Sequence, residues 1–387
     1  MSNIHICLNM VGGSGWIGGS IYTQNLARAI ASLPSEERSQ IKLTIGVSRD
    51  KLDLAKPVRS CVDYIDVRSY AKQVYLKLCK TLAERIPLIP SVLLNPDRVD
   101  FLYPTVAGTR TPYRWGGWIP DFQHVHLPDL FSPEEIAGRN SWHQAVARNA
   151  PVVVLSSKMA QQDFARLYPD AACRSTVLNF STSLDPAWFQ LDPRLTQQKY
   201  EFPDRFFLVS NQFWKHKDHA VVAKALSLLK QQGIHPTVVC TGNTSDLRHP
   251  DYYEQLLATI ESLGVSQQMR ILGMIPRIDQ IQLMRRCLAV IQPSRFEGWS
   301  TVVEDARTLG KPMLLSDFPV HLEQNPPHSE FFEQGNAEQL AQLIASANSQ
   351  LEPGPDFEKE LLAKQDNARR VRAFGQQFLE IVNRVVR

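Results

Sequence analysis

Nowhere in its 387 residues does the chain hold an uncharged apolar run long enough to span a bilayer. The opening residues, MSNIHICLNM, carry no basic flank ahead of a long apolar stretch, so no secretory leader is read and a cytoplasmic location is expected. The six cysteines, Cys7, Cys61, Cys79, Cys173, Cys240 and Cys287, include no Cys-x-x-Cys pair. Most sit in apolar runs, and they read as buried thiols in a reducing compartment. A large charge excess is lacking as well. A net charge of +3, with its small basic surplus in the first half, does not by itself imply a nucleic-acid partner. What is present is 43% hydrophobic and 21% charged residues, the balance of a soluble globular protein, at a length comfortable for two domains.

Short apolar runs alternate with helical patterns. IHICLNM (4–10) reads as a buried strand, followed by the glycine loop VGGSGWIGG and a helix opening near Ser20. KLTIGVS (42–48) and PVVVLSS (151–157) are further strands. The pattern restarts after a polar, proline-bearing stretch at 191–205, read as a linker. FFLVSN (206–211), TVVCTG (237–242), RILGMI, LAVIQPS and KPMLLSD (311–317) are strands with helices between them, and a long helix runs over roughly 356–385. The expectation is two doubly wound α/β units with parallel sheets, whose ligands bind beyond the carboxyl ends of the strands.

Gly13, Gly15 and Gly18 have the G-x-G-x-x-G spacing between a strand and a helix. Backbone N–H groups at such a turn can face an anion. The loop resembles that of extended short-chain dehydrogenases, which would also need Tyr-x-x-x-Lys, and a dinucleotide site would need an acid about 20 residues on. No tyrosine has a lysine four positions later, and the first acid after the second strand is Asp50. A plain glycine turn, a dinucleotide site, and a contact with phosphate or sugar bound elsewhere all stay open.

Three features of the second half point to one ligand. NQFWKHKDH (211–219) places Lys215 and Lys217 at a strand-to-helix turn, where cations and N–H groups can hold a pyrophosphate; two solvated lysines are the plainer reading. CTGNTSD (240–246) puts Gly242 and Asn243 in a loop able to line a pocket for a base. FEGWSTVVEDA (296–306) carries Glu297 before a turn and Glu304 inside a helix that begins near Ser300 or Thr301. A carboxylate one turn into that helix can accept hydrogen bonds from two vicinal hydroxyls.

These stretches, with WIPDFQHVHLP (118–128) and FWKHK (213–217), resemble the GT-B glycosyltransferases of the large retaining family 4, and in particular a bacterial subgroup linked to surface polysaccharides. The resemblance implies two Rossmann-like domains facing a central cleft: 1–195 on the acceptor side, 196–367 holding the donor, and a helix at about 368–387 packing back on the first. It gives Glu304 a ribose contact and sets Glu297 beside the donor sugar. Gly298, Trp299, Ser300 and Thr301 match the turn that meets sugar hydroxyls and phosphate, and Lys217 the pyrophosphate lysine. Gly18 and Gly19 match the loop that closes on the donor. Two positions depart from the pattern. Asn211 stands where the family has an arginine, with Lys215 or Arg295 as a replacement cation, and Pro120 stands where it has a histidine. Asp121 keeps the neighbouring acid, and His124 or His126 can substitute for the histidine or serve a structural or solvated role. The Glu–Glu spacing is one residue shorter than the family's.

The activity implied is transfer of a sugar from a nucleotide-sugar to an acceptor hydroxyl of a glycan or lipid-linked glycan, with retention and no cofactor. The chain has no Asp-x-Asp, so no metal-bound diphosphate is expected. Lys217 and oriented N–H groups would stabilise the leaving diphosphate, an effect of about 3–4 kcal/mol per good donor. A nucleotide-sugar epimerase or hydrolase on the same fold, and a silent sugar-binding scaffold, are the competing readings. In the first half, YAKQVYLKLCKTLAERI (70–86) sets Val74, Leu78, Leu82 and Ile86 on one helical face with basic residues around it. It reads either as a peripheral contact with an anionic inner membrane face or as a helix packed on its own domain.

Overall fold

Mostly apolar strands buried along their whole length, such as VVVL (152–155), FFLVS (206–210) and MLLS (313–316), set the architecture. The computed structural model describes residues 4–13, 16–68, 95, 97–105 and 113–387. The helix read at 70–86 lies outside the described residues, as do Gly15 and Cys79. The chain divides into two units: residues 1–122, 133–183 and 368–387, and residues 123–132 and 184–367.

Among the described residues, the first unit holds a seven-stranded sheet. Its strands are β1 (Ile4–Asn9), β2 (Ile41–Ser48), β3 (Tyr64–Arg68), β4 (Phe101–Tyr103), β5 (Arg114–Ile119), β6 (Val152–Leu155) and β7 (Ser175–Val177). They lie in the order β3-β2-β1-β4-β5-β6-β7, and every pair is parallel. The second unit holds β8 (Phe206–Ser210), β9 (Thr237–Thr241), β10 (Met269–Gly273), β11 (Val290–Gln292), β12 (Met313–Ser316) and β13 (Ser329–Phe332). Their order is β10-β9-β8-β11-β12-β13, again all parallel. Successive residues of β8 feed opposite faces. Phe207 and Val209 enter one core with Val222, Leu226 and Ile344, while Phe206 and Leu208 enter another with Met284, Val303 and Leu315. This is the doubly wound class expected from the sequence.

Three local readings change. The first helix spans Ile17–Ala31 rather than opening near Ser20, so Gly18 and Gly19 form its first turn. Two glycines there weaken helix propensity; the Trp16 ring covers them instead, lying 2.9 Å from where a Cβ of Gly19 would sit. The stretch 191–205 is not a free linker. It contains a helix, Pro193–Lys199, capped by Asp192, and Gln197 of that helix accepts from Arg286 at 2.9 Å, so the units part at 183/184. Cys173 is exposed on the short 3-10 turn Pro169–Arg174, whereas Cys7, Cys240 and Cys287 are buried.

The last helix, Phe357–Val386, divides its residues between the units. Within the second unit, Glu360 forms a buried ion pair with Arg285 at 2.7 Å. Within the first, Phe374, Phe378, Ile381 and Val382 are buried. A Cβ at Gly375 would come within 2.5 Å of the Ala29 carbonyl, so glycine lets these two helices touch. No helix among the described residues is long and apolar enough to cross a membrane.

Candidate active site

The strand order of the second unit reverses between β8 and β11, and doubly wound sheets bind ligands beyond the carboxyl ends at such a switch point. The residues leaving those ends meet there. Asn211 follows β8, and its Nδ2 donates to Oε1 of Gln292, the last residue of β11, at 2.7 Å. Gln292 Nε2 donates in turn to Glu297 Oε1 at 2.7 Å and reaches Ser300 Oγ at 3.1 Å. Lys217 Nζ donates to the same Glu297 oxygen at 2.7 Å. Both ion-pair partners are largely buried, with side chains 13% and 9% exposed. Burial alone would push the Glu297 carboxyl up. Lys217, the neighbouring His321, and hydrogen bonds from Lys217 and Ser294 outweigh it and hold the carboxyl below the usual carboxylate range.

Local sequence explains how Lys217 and Glu297 arrive. Lys215–Lys217 form a single 3-10 turn, and Asp218, in a left-handed conformation at φ 50°, redirects the chain into the helix His219–Gln231. Ser300 caps the helix Thr301–Thr308, its Oγ accepting from Val303 N. That leaves Glu297 before the helix and Glu304 in its first turn, fully buried. Gln324 Nε2 donates to Glu304 Oε1 at 3.1 Å and to Ser300 O at 3.1 Å, and Gln324 Oε1 accepts from Ser300 N at 3.2 Å. The two carboxylates therefore have separate supports.

Residues 195–359 match the family model described as Glycosyl transferases group 1. No curated protein matches the chain. Among solved structures, HepE from Anabaena, described in complex with UDP and glucose, aligns at 18% identity over 98% of this chain and 100% of that one, with a TM-score of 0.67. A glycosyltransferase from Rickettsia africae aligns at 17% identity over 100% of both chains, TM-score 0.69. Sucrose-phosphate synthase from Thermosynechococcus elongatus aligns at 13% identity over 99% of both, TM-score 0.66.

The fold is GT-B.

In this GT-B chain the other site residues named from sequence fall in several places. Gly242, at φ +148°, lets the loop after β9 abut the loop after β8; a Cβ there would meet the Asn211 carbonyl at 2.0 Å. The Asn243 carbonyl accepts from Phe213 N at 2.9 Å. Gly298 and Trp299 are half-buried in the turn, and Thr301 opens the helix. Lys215 and Arg295 are exposed. His124 is buried on the short helix Gln123–His126, which belongs to the second unit, and its ring meets Phe131 edge-on. His126 lies 5.5 Å from Phe296, the residue before Glu297. Arg248 stacks over Phe131 and over Trp214, at 4.6 and 5.7 Å, within the same unit.

Gly18, Gly19 and Asp121 belong to the first unit of the GT-B fold. There Asp121 pairs with Arg139 at 3.5 Å. Trp16 stacks on Trp118, and Trp118 lies flat on Tyr22 with centroids 4.0 Å apart.

Sequence reasoning missed Gln292, His321 and Gln324. The last two lie three residues apart on the helix Pro319–Gln324, so both face the 294–304 loop. His321 Nδ1 sits 3.0 Å from both Ser316 Oγ and Ser316 O, while Ser316 Oγ donates to Ser294 O at 2.7 Å. Burial holds the His321 ring below its ordinary range, partly offset by Glu297. The available signals were a lone glutamine ending an apolar strand, and a histidine and glutamine at helical spacing.

Proposed function

We propose that the protein transfers a sugar from a nucleotide-sugar, with a UDP-sugar the first donor to test, to a hydroxyl of a glycan or lipid-linked glycan. The anomeric configuration is retained and the setting is bacterial polysaccharide or glycoconjugate synthesis in the cytoplasm. The observation that carries this reading is the buried Lys217–Glu297 pair at the switch point, with Glu304 one turn further on. The glycosyl transferases group 1 match over the same residues supports it, as does the likeness to HepE, described with UDP and glucose.

In this reading Glu304 accepts from the ribose hydroxyls and Glu297 faces the donor sugar. Lys217 divides its charge between Glu297 and the diphosphate. As the sugar–phosphate bond breaks, negative charge grows on the leaving diphosphate, and Lys217 with the N–H groups of the 298–301 turn stabilises it without reorganising. The diphosphate oxygen on the same face takes the acceptor proton, which gives retention. The diphosphate charge is met by the protein's own groups, in keeping with a sequence that lacks Asp-x-Asp. His124, in the same unit as Lys217 and Glu297, belongs to the donor's surroundings in this reading.

The test is a thermal-shift panel of UDP-, GDP-, ADP- and dTDP-sugars, followed by turnover of the best donor by the wild-type protein and Glu297→Gln. Turnover should fall about 100- to 1,000-fold, the scale of losing one preorganised polar group, while nucleotide affinity by calorimetry stays within about threefold. Full turnover in Glu297→Gln would remove Glu297 from the chemistry. Release of free sugar or of an epimer, with no acceptor product, would favour the hydrolase or epimerase reading, and binding without any turnover the scaffold.

A further inference from the structure

Glu297 is backed by two buried carboxamides whose orientation is not free. Asn211 is 5% exposed and Gln292 wholly buried. An ionised carboxylate only accepts hydrogen bonds, so Gln292 must turn its amide nitrogen to Glu297 Oε1, the 2.7 Å contact. Ser300 Oγ and Ser294 Oγ, at 3.1 and 3.2 Å, lie around the same nitrogen. The Gln292 oxygen then points the other way and needs a donor, which Asn211 Nδ2 supplies at 2.7 Å. Reversing either amide would set oxygen against oxygen in a buried site, a cost of about 1–3 kcal/mol for each unsatisfied group.

We propose that Asn211 and Gln292 are positioning residues, a fixed amide relay that orients the Glu297 carboxylate; their catalytic value rests on the reading of Glu297 as the residue facing the donor sugar. The relay accounts for the departure from the family pattern at Asn211. One of its two amide hydrogens is committed to Gln292, so this position supports the carboxylate where the family's arginine is expected to support phosphate. Donors held against one oxygen also favour the charged form of Glu297, which ties the relay to a titration that a purely structural role would not move.

The experiment uses the full chain with 13C-labelled glutamate carboxyls, the Glu297 signal being assigned by its loss in Glu297→Gln. Its titration midpoint is followed in the wild type, Gln292→Met, Asn211→Leu and the double variant, none of which adds a charge. Gln292→Met should raise the midpoint by about one unit, since a unit is the tenfold change expected for losing one good donor. Asn211→Leu should move it the same way, and the double variant no further than Gln292→Met alone. With UDP-glucose as donor, kcat should fall at least about tenfold in each variant with KM changed less than about threefold. Asn211→Leu decides the matter if Gln292→Met does not fold. A midpoint unmoved in the folded variants, or shifts that simply add, would overturn the relay. If the midpoints move as expected but the wild type turns over no nucleotide-sugar, the relay stands and the sugar-transfer reading falls.

Discussion

His219 is a residue whose chemistry is set by burial. Its ring is fully buried, stacked on Phe213 with centroids 4.3 Å apart, and neither nitrogen has a hydrogen-bond partner among the described residues. Burial, helped by Lys217, holds it down to about 3 from an ordinary 6.5. Between those values the unfolded chain binds a proton that the folded chain refuses. Stability from this site is therefore full above about pH 6.5 and falls as the pH drops toward 3. His219→Phe should preserve the stack and flatten that part of the curve, leaving the share due to His321, measured by urea unfolding from about pH 7 to pH 4. An unchanged slope would mean that His219 is not held neutral. Glu297 acts in the same sense lower down: its folded value lies below the ordinary 4.5, so its contribution is present above 4.5 and lost as pH falls through the folded value. At this scale the sequence was legible where charge stood out. Lys217 and Glu297 are charged residues at turns that follow apolar strands, and Glu304 is a charged residue in the first turn of the helix after one. Gln292 ends such a strand without a charge, and its partner Asn211 is 81 positions away, so nothing local marks the pair.

Gly242 decides whether two loops of the second sheet can meet. With φ at +148° and the Asn211 carbonyl 2.0 Å from any added Cβ, alanine there brings both backbone strain and a backbone collision. Gly242→Ala should destabilise the protein by more than about 2 kcal/mol and weaken nucleotide binding. Denaturant unfolding with calorimetry checks this, and a variant of wild-type stability would show that the loops are not tightly apposed. Strands β1, β2, β6 and β8 to β12 were readable because parallel strands buried in a sheet are largely apolar runs, whereas β3, β4, β5, β7 and β13, short or partly polar, were not. The start of the first helix was not. Its first turn is glycine, and what favours helix there is the Trp16 ring laid over Gly18 and Gly19, a packing term that propensity does not contain. The 191–205 stretch misled for a related reason. It is polar, yet Asp192 caps a helix in it and Arg286 anchors Gln197.

Neither unit is a continuous piece of chain. Residues 123–132 count with the second unit and 368–387 with the first. The first excursion has no signature in the sequence, because Gln123 meets Arg248 from 125 positions away. The terminal segment buries Phe374, Phe378, Ile381 and Val382. At about 1.5–3 kcal/mol for each buried side chain, the four together rival the net stability of an ordinary domain. Deleting 368–387 should leave the first unit unfolded while the second persists, seen in limited proteolysis as early cleavage within 17–68 and 133–183 and protection within 184–367. Equal protection of both would contradict that assignment. The same division has a bearing on biosynthesis. Chains usually fold from the amino end as they emerge from the ribosome, but here residues 184–367 are all released before the last piece of the first unit. The nascent first unit must wait, with Tyr22, Phe101 and Tyr103 lacking their Phe374 and Phe378 neighbours, until residues 368–387 have emerged. Vectorial synthesis thus completes the two units in the reverse of their order along the chain.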